Sequence, residues 1–164
     1  MILDTSKHWT GQTARKTKVL YAKSFRQIFA DHTVFDDFQL CTLEGNQSFT
    51  IDSMMCKGEL GDTWQQTRYA LDRKYDIVGV DVYGWIMYKP KPTSSVEFFA
   101  VTPEMLSWTD TNYIVGLHGD TIGEIENCQK VASGDFIARD PADHNDQWVV
   151  ARKIWINSYE VNPT

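Results

Sequence analysis

The densest group of potentially reactive side chains is a short polar segment near the end of the chain. Asp140, Asp143 and Asp146 stand at every third position, with His144 and Asn145 between the last two. Carboxylates and an imidazole can together hold a hard cation, but a calcium loop of the EF-hand type has acidic or amide residues at alternate positions followed by glycine. The spacing here favours an exposed acidic turn, and no metal ion is predicted.

A second polar segment, His118-Gly119-Asp120, combines an imidazole with a carboxylate. Such a pair can act as a general base and the group that orients it, but no G-x-S-x-G turn supplies a nucleophile. The chain also contains no Walker loop, no dinucleotide-binding fingerprint and no His-Glu-x-x-His motif. We therefore expect a protein without catalytic residues and without a cofactor.

The three cysteines are odd in number and far apart, at Cys41, Cys56 and Cys128. They form neither a disulfide framework nor a Cys-x-x-Cys pair, so buried thiols in a reducing compartment are expected. No apolar run is long enough to span a membrane, and the first residues lack the apolar centre of a signal peptide. A cytoplasmic protein without membrane contact is predicted.

The net charge of −6 is unevenly distributed along the sequence. Residues 1–26 contain six basic side chains and one acidic one, whereas residues 92–147 contain ten acidic side chains and only Lys130 and Arg139. Direct binding to nucleic acid needs cations that displace counterions from phosphates, so it is not expected. A partner protein with a basic surface fits the acidic segment, and so does an acidic surface that only aids solubility.

The chain is rich in aromatic residues, with six tryptophans, seven tyrosines and eight phenylalanines. Most of these rings are expected in the core, but tryptophan and tyrosine are also enriched at binding hot spots. Trp85, Trp108 and Trp148 each adjoin predicted turns or strand ends. If two or three of the aromatic rings are exposed beside the acidic segment 92–147, an interface is expected there. The predicted partner-binding residues are Trp85, Trp108, Glu124, Glu126, Asp143, Asp146 and Trp148.

The elements that must position these residues lie within a chain of 164 residues, a common size for one domain. We predict a single domain over 1–164. A subdivision into an N-terminal α+β part, 1–88, and a small C-terminal β part, 96–164, is the alternative. The proline-rich segment 89–95 would join these parts, because its prolines disfavour both helix and central strand.

One main helix is predicted at about residues 63–74. Asp62 can cap it and Gln65 stands at the capping-box position, while Arg73 and Lys74 suit the negative end of the helix dipole. Thr102-Pro103-Glu104 begins a short helix, since proline is favoured at the first helical position. One or two short helices therefore accompany the main one.

Short runs of β-branched and aromatic residues predict strands over most of the remaining chain. The predicted strands are residues 19–25, 77–82, 85–88, 96–101, 113–117, 122–126, 130–131, 136–139 and 148–151. Residues 77–82 and 85–88 flank Tyr83-Gly84 and are predicted to form a hairpin. The fold class is α+β, mostly β, with a strongly bent antiparallel sheet or a small barrel.

The end of the chain contains a pattern of glycine, acidic, aromatic and β-branched residues. It runs through Gly134-Asp135-Phe136-Ile137-Ala138-Arg139, Trp148-Val149-Val150, Ile154 and Tyr159-Glu160. We expect Gly134 to adopt a positive φ and Asp135 to accept backbone N–H bonds. One apolar cluster is predicted, formed by Phe136, Trp148, Val150, Ile154 and Tyr159.

This pattern resembles the closing segment of short tailed-phage and prophage accessory proteins. The basic segment and strand at residues 15–22 resemble the opening that many of them share. The match covers the two ends of the chain and leaves the middle unmatched, and its motif carries no catalytic residue.

The resemblance implies a non-enzymatic phage or prophage accessory protein in the host cytoplasm. Together with the charge and the aromatic content, it predicts binding and inhibition of a host macromolecule, such as a defence or nucleic-acid enzyme, through an acidic surface with aromatic residues. Two alternatives remain open. One is a β-barrel that binds a nucleotide or hydrolyses a small molecule, using His118, Asp120 and His144, and the other is a minor component of the virion.

Overall fold

The computed structural model describes residues 3–30, 39–42, 45–48, 52–106, 112–115 and 128–164. The chain divides into two compact units, Met1–Lys16 with Ser95–Thr164, here called the terminal unit, and Thr17–Ser94, the central unit. One junction adjoins the proline-rich segment 89–95 of the sequence prediction, while the other, after Lys16, was not predicted.

The described elements are mostly short strands, and three short α-helices accompany them. In chain order the strands are β1 (Thr13–Lys16), β2 (Leu20–Ser24), β3 (Gln39–Thr42), β4 (Gly45–Ser48), β5 (Met54–Lys57), β6 (Thr63–Gln66), β7 (Tyr75–Val80), β8 (Ile86–Pro90), β9 (Val96–Ala100), β10 (Asn112–Val115), β11 (Cys128–Val131), β12 (Phe136–Asp140), β13 (Asp143–Val150) and β14 (Tyr159–Val161). The helices are α1 (Phe25–Ile28), α2 (Arg68–Lys74) and α3 (Arg152–Ser158), and 3₁₀ turns lie at Thr5–Lys7 and Pro103–Met105. The predicted strand over 122–126 lies outside the described residues.

The terminal unit is built on an antiparallel sheet in the order β13-β12-β9-β1-β14. Strand β1 belongs to this sheet because it pairs with β9 on one side and β14 on the other. Two further strands, β10 and β11, form an antiparallel pair. The N-terminal residues therefore belong with the end of the chain, which local sequence patterns do not indicate.

The two faces of this sheet are both buried. Successive residues of a strand point to opposite faces, and Phe98 belongs to one apolar cluster while Phe99 belongs to another. On the first face, Trp155 of α3 stacks on Phe136 and on Tyr159, with ring centroids 4.4 and 4.5 Å apart. On the second face, the Trp9 ring meets Phe99 edge-on.

The closing segment of the chain has the local structure expected from its sequence. Gly134 adopts a φ of 92°. The carboxylate of Asp135 accepts hydrogen bonds from the backbone N–H groups of Ala132 and Arg152, at 2.9 and 3.2 Å. The predicted cluster is confirmed, since Val150 and Ile154 are buried in it and Phe136, Trp148 and Tyr159 pack against it. Helix α3, which carries Ile154, was not predicted.

The central unit contains the second five-stranded sheet, in the order β6-β5-β2-β8-β7, and the β3–β4 pair. One face of the five-stranded sheet packs against α2 and contains the core of the unit. The buried residues of this core are Leu20, Ala22, Met54, Cys56, Leu71, Tyr75 and Tyr88. Cys56 is a buried free thiol, as expected.

The predicted helix over 63–74 is correct only in its second half. Residues 63–66 form β6 instead, which pairs with β5 so that Trp64 lies opposite Cys56 and packs against the core. The helix begins at Arg68, and the Thr67 hydroxyl caps it by accepting a hydrogen bond from the Ala70 N–H. The β-ladder outweighs the local capping signal of Asp62, because pairing with β5 also buries Trp64.

The predicted fold class, α+β and mostly β, is confirmed. Both large sheets are antiparallel and open, with β13 and β14 at the edges of one and β6 and β7 at the edges of the other. The alternative of a small barrel is therefore wrong for these sheets. The short helix predicted from Thr102-Pro103-Glu104 is a 3₁₀ turn at Pro103–Met105.

Candidate functional site

One carboxylate holds the turn between β7 and β8. The Asp81 Oδ1 atom accepts hydrogen bonds from the backbone N–H groups of Tyr83 and Trp85, both at 2.9 Å. The Asp81 N–H donates to the Trp85 carbonyl, and Gly84 takes the positive φ of 84° that the tight turn requires. Because Asp81 and Trp85 fix both ends of the turn, Val82 and Tyr83 are presented to solvent in a defined conformation.

Apolar side chains project from this turn and from the strand before it. Val82 is 92% exposed and Tyr83 is 77% exposed. Ile77, Val78 and Val80 on β7 are also more than half exposed. Single exposed apolar residues are common, but five within seven consecutive residues concentrate apolar surface in the way that interaction sites do. We call residues 77–83 the exposed ribbon.

The exposed ribbon lies at the edge of its sheet because β7 is the last strand in the order. Its pairing with β8 shifts register between Ile77 and Gly79, so one extra residue stands on β7. Such a bulge increases the local twist of an edge strand. Edge position and bulge together leave the valine side chains with few neighbours, which explains their exposure.

A group of cationic and aromatic side chains lies on the sheet face opposite the core. On β2, Leu20 and Ala22 point into the core, so Tyr21 and Lys23 point the other way. The Lys57 Nζ atom lies 4.0 Å from the Trp85 ring centroid and 5.8 Å from that of Tyr21. We call Tyr21, Lys23, Lys57 and Trp85 the lysine–tryptophan cluster.

The lysine–tryptophan cluster is attached to the turn of the exposed ribbon. The Lys23 ammonium donates a 2.8 Å hydrogen bond to the Tyr83 carbonyl and lies 5.9 Å from the Trp85 ring centroid. Among the described residues, no carboxylate lies within ion-pair distance of Lys23 or Lys57. A cation over an aromatic face is worth roughly 0.5–2 kcal/mol but keeps its charge. The cluster is therefore a positively charged aromatic surface.

The terminal unit contains a different polar group, in which the charges are paired. The Arg139 Nε atom donates to Glu97 Oε2 at 2.7 Å, and the Arg139 guanidinium lies 4.0 Å from the Trp9 ring centroid. His144 Nε2 lies 3.8 Å from the other oxygen of Glu97. Since Arg139 already engages this carboxylate, Glu97 and His144 are not arranged as a general base and its orienting group.

The exposed acidic turn predicted near the end of the chain is only partly correct, because Asp140 ends β12 and residues 143–146 belong to β13, with a two-residue turn between these strands. Asp140 is buried and accepts a hydrogen bond from the Ala142 N–H, while Asp143 is exposed and accepts one from the Asn145 N–H. Asp146 is half-buried. Across the parts of the chain that the structure describes, no three His, Cys, Asp or Glu side chains form a group that could hold a metal ion.

The predicted partner-binding residues are distributed over both units. Trp85 lies in the lysine–tryptophan cluster of the central unit. Asp143, Asp146 and Trp148 lie on one strand of the terminal unit, where the Trp148 ring packs against the apolar core. Trp108, Glu124 and Glu126 lie outside the described residues, as do His118 and Asp120.

Sequence analysis did not identify Lys23, Lys57 or the exposed valines as site residues. The lysines had a signal, since each follows a core residue of its strand, Ala22 and Cys56, and must therefore point to the opposite face. No sequence signal marks the valines as site residues, because an apolar run such as residues 77–82 has the same composition on a buried strand and on an edge strand.

In the described residues, no helix is both long and apolar enough to cross a membrane. Comparison of the chain with protein-family models, with curated proteins and with solved structures finds no match.

Proposed function

We propose that this protein is a non-enzymatic phage or prophage accessory protein that acts in the host cytoplasm by binding and inhibiting a host protein. The exposed ribbon, with Trp85 behind it, is the centre of the binding surface. The observation that carries this proposal is the solvent exposure of Val80, Val82 and Tyr83 on a turn whose conformation is fixed by Asp81.

Exposed apolar side chains on a rigid turn favour tight binding for two reasons. Burying them against a partner gains roughly 25 cal/mol for each Å² of apolar surface. A turn that is already ordered loses little conformational entropy on binding, so more of that gain remains as affinity. Tyr83 and Trp85 add the aromatic groups that are common at hot spots.

The acidic surface has less support from the described residues than the exposed ribbon. Glu97 is paired with Arg139, and the carboxylates of Asp135 and Asp140 accept backbone hydrogen bonds within the terminal unit. Asp143 and Glu104 are exposed, and Asp143 is the one of the two that the sequence predicts as a partner-binding residue. We assign it to a second, polar contact.

The proposal is tested by affinity capture from a lysate of the bacterial host, comparing wild type with a Val82→Ser/Tyr83→Ser variant. We expect one host protein to be retained by the wild type and its recovery to fall by at least about tenfold in the variant. The matched control is Ile156→Ser, because Ile156 is 68% exposed but lies on α3 of the terminal unit.

Equal recovery by the double variant would contradict the proposal, and so would an equal loss with Ile156→Ser. Thermal unfolding of all three proteins checks that the substitutions leave the fold intact. Addition of the captured host enzyme to an activity assay then tests inhibition directly.

A further inference from the structure

We infer that the partner contributes an extended, acidic segment that adds as a further strand along the outer edge of β7. This inference rests on the proposed function and specifies the partner for the exposed ribbon. It combines three observations: the edge position of β7, the exposed apolar side chains on it, and two lysines next to its turn that have no carboxylate of the described residues within ion-pair distance.

The outer edge of β7 offers backbone hydrogen bonds. The Asp81 N–H donates to Trp85, toward β8. Since the N–H groups of a strand alternate in direction, the N–H of Val80 points away from β8. No strand among the described residues pairs with this edge. A peptide strand can therefore extend the sheet here, as in other recognition sites built on a sheet edge.

The side chains of β7 provide apolar contacts on one face of such an added strand. Ile77 stands opposite Tyr88 and Val80 stands opposite Ile86, so both point to the face of the sheet that holds the core. Both are more than half exposed, and none of the strands that the structure describes lies on their outer side. Alternate apolar residues of an added strand would pack on them.

The lysine–tryptophan cluster favours acidic residues in the incoming segment. Lys23 is bonded to the Tyr83 carbonyl, which places its positive charge at the turn end of β7, and Lys57 lies against the same tryptophan ring. No carboxylate of the described residues lies within ion-pair distance of either lysine, so glutamate or aspartate on the partner would be attracted to them. We place those acidic residues in the part of the segment that passes the turn.

Nucleic acid fits these observations less well. The exposed side chains on β7 itself are aliphatic, whereas bases stack on aromatic rings, and the Trp85 ring next to the turn is already covered by the Lys57 ammonium at 4.0 Å. The central unit as a whole carries nine basic and ten acidic side chains, which is a poor balance for a chain of phosphates.

A second copy of this protein also fits less well. Two β7 strands paired antiparallel would bring Asp76 of one copy beside the Asp81 end of the other, where carboxylates repel.

The test is a selection from a displayed library of random peptides of about 10 residues, the length of a long strand, on the immobilised full chain. We expect enriched sequences that alternate apolar and polar residues and contain glutamate or aspartate toward one end. A synthetic peptide with an enriched sequence should bind the Val80→Pro and Lys57→Glu variants at least about tenfold more weakly than it binds the wild type. Proline at position 80 removes an outward N–H and no bond to β8.

The matched control is Val161→Pro in the terminal unit. Val161 lies on the edge strand β14 and is 49% exposed, and its N–H points outward because the next residue, Asn162, donates to Thr13. This variant should bind the peptide as the wild type does. Hydrogen exchange of the wild type provides a measurement that needs no substitution, because bound peptide should protect the Val80 amide.

Enrichment of basic sequences, or no enrichment, would overturn the inference, and so would unchanged affinity for Val80→Pro together with an unprotected Val80 amide. Displacement of the peptide by an oligothymidine of about 12 nucleotides would favour nucleic acid instead, and a dimer lost in Val80→Pro would favour a second copy. If capture of a host protein still depends on Val82 and Tyr83, the proposed function stands without the added strand.

Discussion

The two five-stranded sheets of this protein differ in how many of their faces are buried. In the terminal unit, the neighbours Phe98 and Phe99 point to opposite faces, and both are buried in apolar clusters. In the central unit, Ala22 is buried, whereas its neighbour Lys23 lies half-buried in the lysine–tryptophan cluster. An antiparallel sheet with one solvated face is common. Because both faces of its sheet are buried, the terminal unit is the more completely packed of the two.

Exposed apolar side chains follow the same division. Among the described residues, those of the central unit are Leu60, Tyr69, Ile77, Val78, Val80, Val82 and Tyr83, and those of the terminal unit are Ile156 and Val161. The unit with the single buried face therefore also presents most of the apolar surface. The proposed contact surface, the exposed ribbon, thus lies in the unit that has more of the exposed apolar side chains.

The largest effect is expected where both faces of a sheet are buried. Phe98→Ala and Phe99→Ala should each lower the free energy of unfolding by about 3–5 kcal/mol, because each removes a large buried ring and leaves a cavity. Urea denaturation of each variant measures the change. A loss below about 1 kcal/mol for either residue would mean that its face is not packed, and the contrast between the two sheets would fail.

In the five-stranded sheet of the central unit, substitutions on only one face should lower the free energy of unfolding substantially. Met54 is buried in the core, and the next residue, Met55, is half-buried on the opposite face. Met54→Ala should therefore cost about 2–5 kcal/mol, while Met55→Ala should cost less than about 1 kcal/mol. The same residue type at adjacent positions of one strand makes each variant the control for the other. Equal losses in urea denaturation would show that both faces are packed.

A smaller effect is expected from the ion pair of the terminal unit. Glu97→Gln removes the charge that Arg139 contacts, and both side chains are less than one-fifth exposed. We expect a loss of about 2 kcal/mol, because the guanidinium is left without a counter-charge although it still stacks on Trp9. The exposed pair Arg15–Glu160 is the control, where Glu160→Gln should change stability by less than about 1 kcal/mol. Equal effects of both substitutions would remove any energetic distinction between the partly buried pair and the exposed one.

Local sequence patterns predicted those parts of the fold whose stability is local. The strand at residues 136–139, the positive φ of Gly134 and the hydrogen bonds to Asp135 all follow from residues close in sequence, and all are observed. Residues 63–66 were assigned to a helix because their capping signal is local, whereas their pairing with β5 is not. The position of β1 between β9 and β14 likewise depends on the opposite end of the chain.

The candidate site was harder to predict because it depends on the order of strands in a sheet. Trp85 was identified from its type and its place beside a turn. Lys57 reaches the Trp85 ring only because β5, β2 and β8 lie side by side, an arrangement that no spacing in the sequence shows. Charge density indicated residues 92–147, but it cannot show that Glu97 is paired with Arg139.

The smallest effect concerns the pH dependence of the central core. Tyr88 is fully buried, and its hydroxyl donates to Asp72 Oδ1 at 3.4 Å. Burial is the main cause that raises the pKa of the Tyr88 phenol above its ordinary value of 10.0, and the carboxylate of Asp72 raises it further. In the unfolded chain this phenol loses its proton near pH 10, whereas the folded protein keeps it. The stability due to Tyr88 is therefore complete below about pH 10 and declines as the pH rises toward the raised pKa.

Tyr88→Phe should then flatten the alkaline part of the stability curve. At about pH 7 we expect a change of no more than about 1 kcal/mol, since one long hydrogen bond is lost while the buried ring remains. Between about pH 9 and pH 11 the wild type should lose more stability than the variant, because phenylalanine does not titrate. Urea denaturation across this range measures both curves, and Tyr69→Phe on the exposed side of α2 should follow the wild type. Parallel curves for wild type and Tyr88→Phe would mean that the phenol ionises equally in the folded and unfolded states. Solvent would then reach the buried face of the central sheet more readily than its packing indicates.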